Sequence, residues 1–273
     1  MPKTAQCSHE RKFPAKITGA AAPSLSEPEH APLLLESAGS AKPIRVRRNQ
    51  DVIVAGRTHG CIYVNHDGWL FRYKILHDGS RQIIDFILPG QIFGLQCCLF
   101  KRPLYSVATV TDTSLSPIPL AVIRDVFDRN PAFAKALFRS AICESVILAE
   151  HLTDAARRSA YERVSHFLLE LFVRLAGVGL TDGMTLFLPL TQDLIADALG
   201  LTTVHVNRTF RSLRDDKLIA TAGRLVTILD FEALSLVSDF ENSYLGETAR
   251  IVRGGAPGEE ERRPAKTAAA ASF

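Results

Sequence analysis

The stretch from Thr191 to Ile219, TQDLIADALGLTTVHVNRTFRSLRDDKLI, limits the fold more than any other part of the chain. Thr191 is a good N-cap for a short helix whose apolar residues Leu194, Ile195, Ala198 and Leu199 fall at helical spacing, and Gly200 closes that helix in the left-handed manner. A second helix opens near Thr202 and keeps Val206, Phe210 and Leu213 on one face, so that Thr203, His205, Asn207, Arg208 and Arg211 point elsewhere. Two short helices joined by a turn of three or four residues with a glycine, and with small Ala196 where they cross, make a helix-turn-helix. An ordinary helical hairpin with a solvated basic face carries the same pattern, and the residues that follow separate the two.

Those residues are Leu218 and Ile219, leading into Ala220 to Ile228, with a turn at Gly223 and a short β run through Leu225, Val226 and Ile228. A two-stranded hairpin in this place is a wing. The second helix of such a unit fits the major groove of double-stranded DNA and brings the side chains of its first turns to base edges. Arg208 can make a bidentate contact to guanine, Asn207 suits adenine, and Thr203 or Val204 suits a thymine methyl. Thr191, Gln192, Thr202, His205 and Arg211 are placed to hold phosphates. The run LTQDLIADALGLTTVHVNRTFRSLRDDKLI resembles the winged helix-turn-helix of the Crp/Fnr superfamily of bacterial transcription regulators, with TTVHVNR where that family places its base-reading residues. Val204 occupies a position often held by a glutamate in that family. The resemblance implies a homodimer acting on double-stranded DNA, with RNA polymerase as a further partner.

Charge alone would not suggest this, because the net charge is only +3. Its arrangement does: from Thr203 to Arg214 there are three arginines and no acid, so the basicity is concentrated on the proposed reader. With 273 residues, 47% of them apolar, the chain is expected to hold two domains. Residues 1–32, rich in Ala, Pro, Ser and Lys, and residues 246–273, a Gly/Ala/Arg/Glu stretch without periodicity, read as disordered tails. No apolar block is long enough for a signal peptide or a membrane span, so a cytoplasmic protein with no membrane partner is expected. Cys7, Cys61, Cys97, Cys98 and Cys143 are scattered and odd in number, which suits a reducing compartment better than a disulfide framework.

From Ile44 to Ile123 the texture is β: short alternating runs broken at turn signals such as His66-Asp67-Gly68 and His77-Asp78-Gly79. This segment resembles the β-roll sensor of the same superfamily, built like a cyclic-nucleotide-binding domain. In cyclic-nucleotide binders of this fold a glutamate after the glycine turn takes the ribose, and an Arg-Ser pair downstream holds the phosphate. Following Gly90 to Gly94, the glutamate position falls on Leu95, and the Arg-Ser pair falls on Tyr105 and Ser106. Tyrosine brings neither charge nor a forked donor, which argues against cyclic AMP as the effector, and Arg102 is the nearest substitute cation. Gly94, Leu95, Arg102, Tyr105 and Ser106 are therefore the candidate pocket for an unidentified small-molecule effector. An iron-sulfur cluster needs four thiolates brought together, and lone Cys7 with adjacent Cys97 and Cys98 supplies a poor set. His77, in a turn, is a poor haem ligand, so the cofactor is left unassigned. Cys97 or Cys98 as a redox-responsive thiol stands beside the alternative of a small buried hydrophobe.

Asn130-Pro131 starts a long helix that runs to about Ala156, with Leu137, Phe138, Ala141, Ser145, Leu148, Leu152 and Ala155 as one seam and Ile142, Val146 and Ala149 as a second edge. Such a helix needs two partners, its own β-roll and a twin helix, which points to a parallel homodimer. Arg157 and Arg158 mark a hinge, and Ala160 to Ala176 reads as a further amphipathic helix, with Val164, Phe167, Leu168, Leu171 and Leu175 inward. Asp230 then caps a last short helix with Leu234, Val237 and Phe240. The expected fold is α+β: an antiparallel β-roll over 33–130, a dimerisation helix over 131–157 and a winged helix-turn-helix over 158–245. A ligand-binding or protein-docking module without specific DNA binding is the alternative. No Ser/His/Asp set, phosphate loop or metal-ligand spacing suggests an enzyme.

Overall fold

The computed structural model describes residues 42–123 and 131–245. The expected tails at 1–32 and 246–273, Cys7, and residues 33–41 and 124–130 of the β segment lie outside the described residues.

Among the described residues, eight strands form the first half: β1 (Ile44–Val46), β2 (Asp51–Ile53), β3 (Cys61–Asp67), β4 (Leu70–Ile75), β5 (Arg81–Ile87), β6 (Ile92–Phe93), β7 (Ser106–Thr109) and β8 (Thr113–Pro119). They make two antiparallel four-stranded sheets, β1-β8-β3-β6 and β2-β7-β4-β5. The alternation seen in the sequence turns Ile53, Tyr63, Leu70, Ile87, Phe93, Val107 and Leu115 into the space between them. The two HDG turns have different jobs. His77-Asp78-Gly79 closes the β4–β5 hairpin, where the Asp78 carboxylate accepts from the Ser80 backbone and hydroxyl. His66-Asp67-Gly68 instead hands the chain from one sheet to the other, because β3 and β4 are not paired. Gly68 is needed there: its φ is +85°, and a Cβ would lie 2.3 Å from the Asp112 carbonyl oxygen.

The long helix α1 (Pro131–Arg157) is two-faced. Leu137 packs on Ile62, Val64, Ile92 and Ile118 of the β-roll, and Ile147 is buried further along the same side. Phe138, Ile142, Val146 and Leu152 stay exposed, Phe138 and Leu152 at about 70%. This corrects the seam read from the sequence. Leu137 is buried and Leu148 half-buried against the body, and the outward ridge is made by Phe138 and Leu152 together with the supposed second edge of Ile142, Val146 and Ala149. The physical reason is that Glu144, His151 and Asp154, which a periodicity reading gives to water, face inward.

The expected hinge at Arg158 is tied rather than loose. Its guanidinium lies 2.6 Å from Asp154 and donates to the Asp239 carbonyl, and Ser159 opens α2 (Ala160–Ala176) with a capping box to Glu162. Along α2, Val164, Leu168 and Leu171 are fully buried, but so are His166, Glu170 and Arg174. The wing is part of a larger sheet: β11 (Ile219–Ala222) and β12 (Leu225–Ile228) continue into β10 (Thr185–Phe187) and β9 (Thr181–Asp182). Asp230 caps α5 (Phe231–Ser238) through the Ala233 amide, as expected. Leu234 of this helix is buried, whereas Val237 is exposed and Phe240 packs from beyond the helix end. Among the described residues no helix is long and apolar enough to cross a membrane.

Candidate functional site

Two helices of the second half, α3 (Gln192–Leu199) and α4 (Thr203–Asp215), build the site. Thr191 caps α3 by accepting from the Leu194 amide at 3.2 Å, and Gly200, at φ 63° and ψ 37°, ends it. Thr202 caps α4 in the same way through the His205 amide. Val206, Thr209, Phe210 and Leu213 bury one side of α4, and Ile195 and Ala196 of α3 meet it. That burial fixes what the other side shows. Val204, His205, Asn207, Arg208 and Arg211 are all exposed, Val204 at 71%. No acidic residue lies in the first turn of α4, so the partial positive charge of its N-terminus adds to the arginines.

The remaining predicted contacts are less free. Thr203 is half-buried, and its hydroxyl donates to the Asp193 carboxylate at 2.9 Å, leaving its methyl as the group on offer. Gln192 is half-buried with its Oε1 unpartnered among the described residues. Thr191 and Thr202 are exposed, their hydroxyls already serving as caps. The β-roll holds the far end of α3: Arg81 on β5 lies 2.7 Å from the Asp197 carboxylate, and Gln82 reaches the Ala198 carbonyl. Arg163 of α2 closes the same corner by donating to the carbonyls of Ala155, Arg158 and Leu199.

At the candidate effector position Gly94 is buried with φ +88°, and Leu95 begins a short 3-10 turn, Leu95–Cys98. Gln96 gathers the loop, its amide spanning the Leu104 N–H and the Tyr105 carbonyl. Ser106 is buried and its hydroxyl accepts from the Ala55 amide, while Arg102 stays in solvent. The cation that meets Tyr105 is one the sequence reading missed. Arg72, buried on β4, donates to the Tyr105 hydroxyl at 3.3 Å, makes a forked contact of 2.5 and 2.6 Å with Asp85 on β5, and pairs with Glu144 on α1. Burial alone would lower its pKa, but Asp85 outweighs that and keeps it charged. Opposite charges at paired positions inside two apolar strand runs, LFRYKI and RQIIDFI, were the available signal.

A second buried cluster was also missed. Glu170 of α2 receives His151 of α1 at 3.0 Å, Arg174 at 2.9 Å and the Tyr244 hydroxyl at 3.1 Å. Burial pushes the Glu170 carboxyl up, but His151 and Arg174 outweigh it and hold it below the usual carboxylate range. Burial likewise works to lower the His151 pKa, yet Glu170 raises it to about 9. His166 lies 3.1 Å from Asp154 alongside. Cys97 is buried and its thiol is pushed up to about 11, first by burial and then by Cys98 and Cys61, which favours the buried-hydrophobe reading over a reactive thiolate.

Comparison with known proteins agrees with both halves. Residues 43–130 match the cyclic nucleotide-binding domain model, and residues 162–237 match the Crp-like helix-turn-helix domain model. The nitrogen fixation regulation protein FixK of Bradyrhizobium diazoefficiens is 33% identical over 165 residues, covering 60% of this chain and 68% of that one. FixK of Rhizobium meliloti is 30% identical, covering 68% and 82%. Among solved structures, FixK2 from Bradyrhizobium japonicum superposes with a TM-score of 0.67 at 26% identity, over 72% of this chain and 96% of that one.

Proposed function

The chain belongs to the Crp/Fnr family of transcription regulators, and from that premise we propose how its parts divide the work. The domains are a β-roll sensor over 33–130, a dimerisation helix over 131–157 and a winged helix-turn-helix over 158–245. Two copies join through the outward ridge of α1 and set two α4 helices into successive major grooves of an imperfect palindrome, its half-sites about one or two turns apart, at roughly 34–36 Å per turn. RNA polymerase is the further partner. The exposed apolar row Phe138, Ile142, Val146 and Leu152 supports the dimer, since an apolar stripe of this length is costly to leave in water.

The observation that carries the DNA reading is the division of α4 into a buried side and an outward face of Val204, His205, Asn207, Arg208 and Arg211. Arg208 and Asn207 read bases, Thr203 and Val204 offer methyl contacts, and Thr191, Gln192, Thr202, His205 and Arg211 hold the backbone. In a gel-shift series on operator fragments, Arg208→Ala should cost about 1 to 3 kcal/mol and relax preference at one position, while Arg211→Ala should weaken all sequences alike. An Arg208→Ala protein that bound its operator with the parent's affinity and preference would defeat the assignment.

For the sensor we infer that cyclic AMP is not the input. Tyr105 replaces the expected phosphate-binding arginine, and the nearby guanidinium, Arg72, is already committed to Asp85 and Glu144. The loop around Gly94, Leu95, Tyr105 and Ser106, with Arg102 at its rim, remains the proposed place for any other effector.

A further inference from the structure

Between Thr191 and Arg214 the helix pair carries two acids, Asp193 and Asp197, both on α3. Asp197 is taken up by Arg81 of the β-roll. Asp193 is exposed, and among the described residues no cation pairs with it. A free carboxylate beside a polyanion opposes binding by repulsion, so its place on this surface calls for a physical account. It suits the positive end of α3, but Thr191 already caps that helix. What sets Asp193 apart is a bond to the neighbouring helix: it accepts from the Thr203 hydroxyl at 2.9 Å.

Thr203 is the first residue of α4, so no earlier turn of its own helix can take its hydroxyl, as the carbonyls inside a helix do for other threonines. Untied, the side chain would exchange among staggered rotamers, showing the groove a hydroxyl in one and a methyl in another. The bond to Asp193 selects among them. A threonine hydroxyl has one proton, and giving it to the carboxylate withdraws it from purine N7, guanine O6 and thymine O4. The anchor is itself fixed, because Arg81 and Gln82 of the β-roll hold the far end of α3 through Asp197 and the Ala198 carbonyl.

We propose that Asp193 is a positioning residue for base recognition: by holding the Thr203 hydroxyl it turns the Thr203 methyl into the major groove, against the C5 methyl of one thymine in each half-site. The inference rests on the reading of α4 as the reader helix and adds the residue that gives Thr203 its preference. Asp193 then works against affinity for any duplex and in favour of one base.

The test uses the full chain and an operator duplex selected from a randomised palindrome. Each thymine of the half-site is replaced in turn by deoxyuridine, which lacks only the C5 methyl. At one thymine the parent should lose about 4-fold in affinity per half-site, the worth of one buried methyl. Asp193→Ala should abolish that ratio, whatever happens to its affinity as a whole. Thr203→Ser, which keeps the hydroxyl bond and drops the methyl, should abolish it too. Thr203→Val keeps a methyl and needs no anchor, so it should retain the ratio and restore it in the double variant D193A/T203V. A carboxylate with a structural role alone would move the melting curve and leave the ratio where it was. The proposal is overturned if no thymine discriminates, if the ratio survives Asp193→Ala, or if the double variant fails to recover it. It is overturned as well if the ratio survives Thr203→Ser, since the methyl being read would then belong to Val204. Arg208→Ala on the unmodified operator reports on the reader itself. A parent-like result there defeats the underlying reading, whereas a weakened Arg208→Ala beside an unchanged ratio in Asp193→Ala defeats this inference alone.

Discussion

On α4, His205, Asn207, Arg208 and Arg211 stand in solvent, while at the seam between α1 and α2 the side chains of Asp154, His166, Glu170 and Arg174 are buried against one another. Both regions place charge on amphipathic helices. The α4 set is left for a partner, and the seam set is turned inside the chain, where Asp154 pairs with Arg158 and Glu170 with Arg174, and each of these charges is costly to leave alone. Exposure and pairing, more than residue type, therefore separate a recognition surface from a structural one here. Variants at the seam should change stability without changing base preference, and variants on α4 should do the reverse.

The sharpest test of that contrast is Glu170→Ala. It leaves buried Arg174 and half-buried His151 without their carboxylate and should cost about 3 to 5 kcal/mol of folding stability in denaturant titration. The folded fraction should still prefer the parent's operator. Next is pH. The folded pKa of His151, about 9, lies above its ordinary 6.5, so its contribution is complete below about 6.5 and is lost as pH rises through 9. Glu170 has the opposite sign: its folded pKa lies below 4.5, so its contribution is complete above that value and is lost only in acid. Stability should hold level between about pH 4.5 and 6.5 and fall by roughly 3 kcal/mol on the alkaline side. His151→Gln should flatten that alkaline limb, and a parent that melts alike at pH 6 and pH 10 would contradict the pairing. A smaller effect, about 1 kcal/mol in stability, is expected for Ser159→Ala, which removes the cap of α2. Smallest of all, Arg208→Ala should leave the melting curve within about 0.5 kcal/mol of the parent while altering operator choice. If it unfolded the protein, α4 would belong with the seam.

The reader was legible because its signals are local. Two threonine caps, a left-handed glycine and an apolar spacing all lie within Thr191 to Leu213, and each acts on its own neighbours. The β-roll was legible as alternation, though not which HDG turn would close a hairpin, because strand pairing is settled by residues far apart in the chain. The seam was hidden for a similar reason. His151, Asp154, His166 and Glu170 look dispersed in sequence and read as water-facing, yet the crossing of α1 and α2 brings them together. That is also why the seam read through both Leu137 and Phe138 divides in the structure, Leu137 turning to the β-roll and Phe138 to solvent. Arg72 was hidden among apolar strand residues, and its value depends on Glu144, 72 residues later.

The short helix α3 touches both ends of the molecule's business. Asp197 is gripped by Arg81 of the β-roll, and Asp193, one turn earlier on the same helix, takes the Thr203 hydroxyl at the start of α4. One turn is a span of about 6 Å. The helix therefore carries a contact to the β-roll at one carboxylate and a contact to the start of α4 at the other. Two aspartates a single turn apart thus fasten the sheet of one half and the exposed helix of the other to the same short rod.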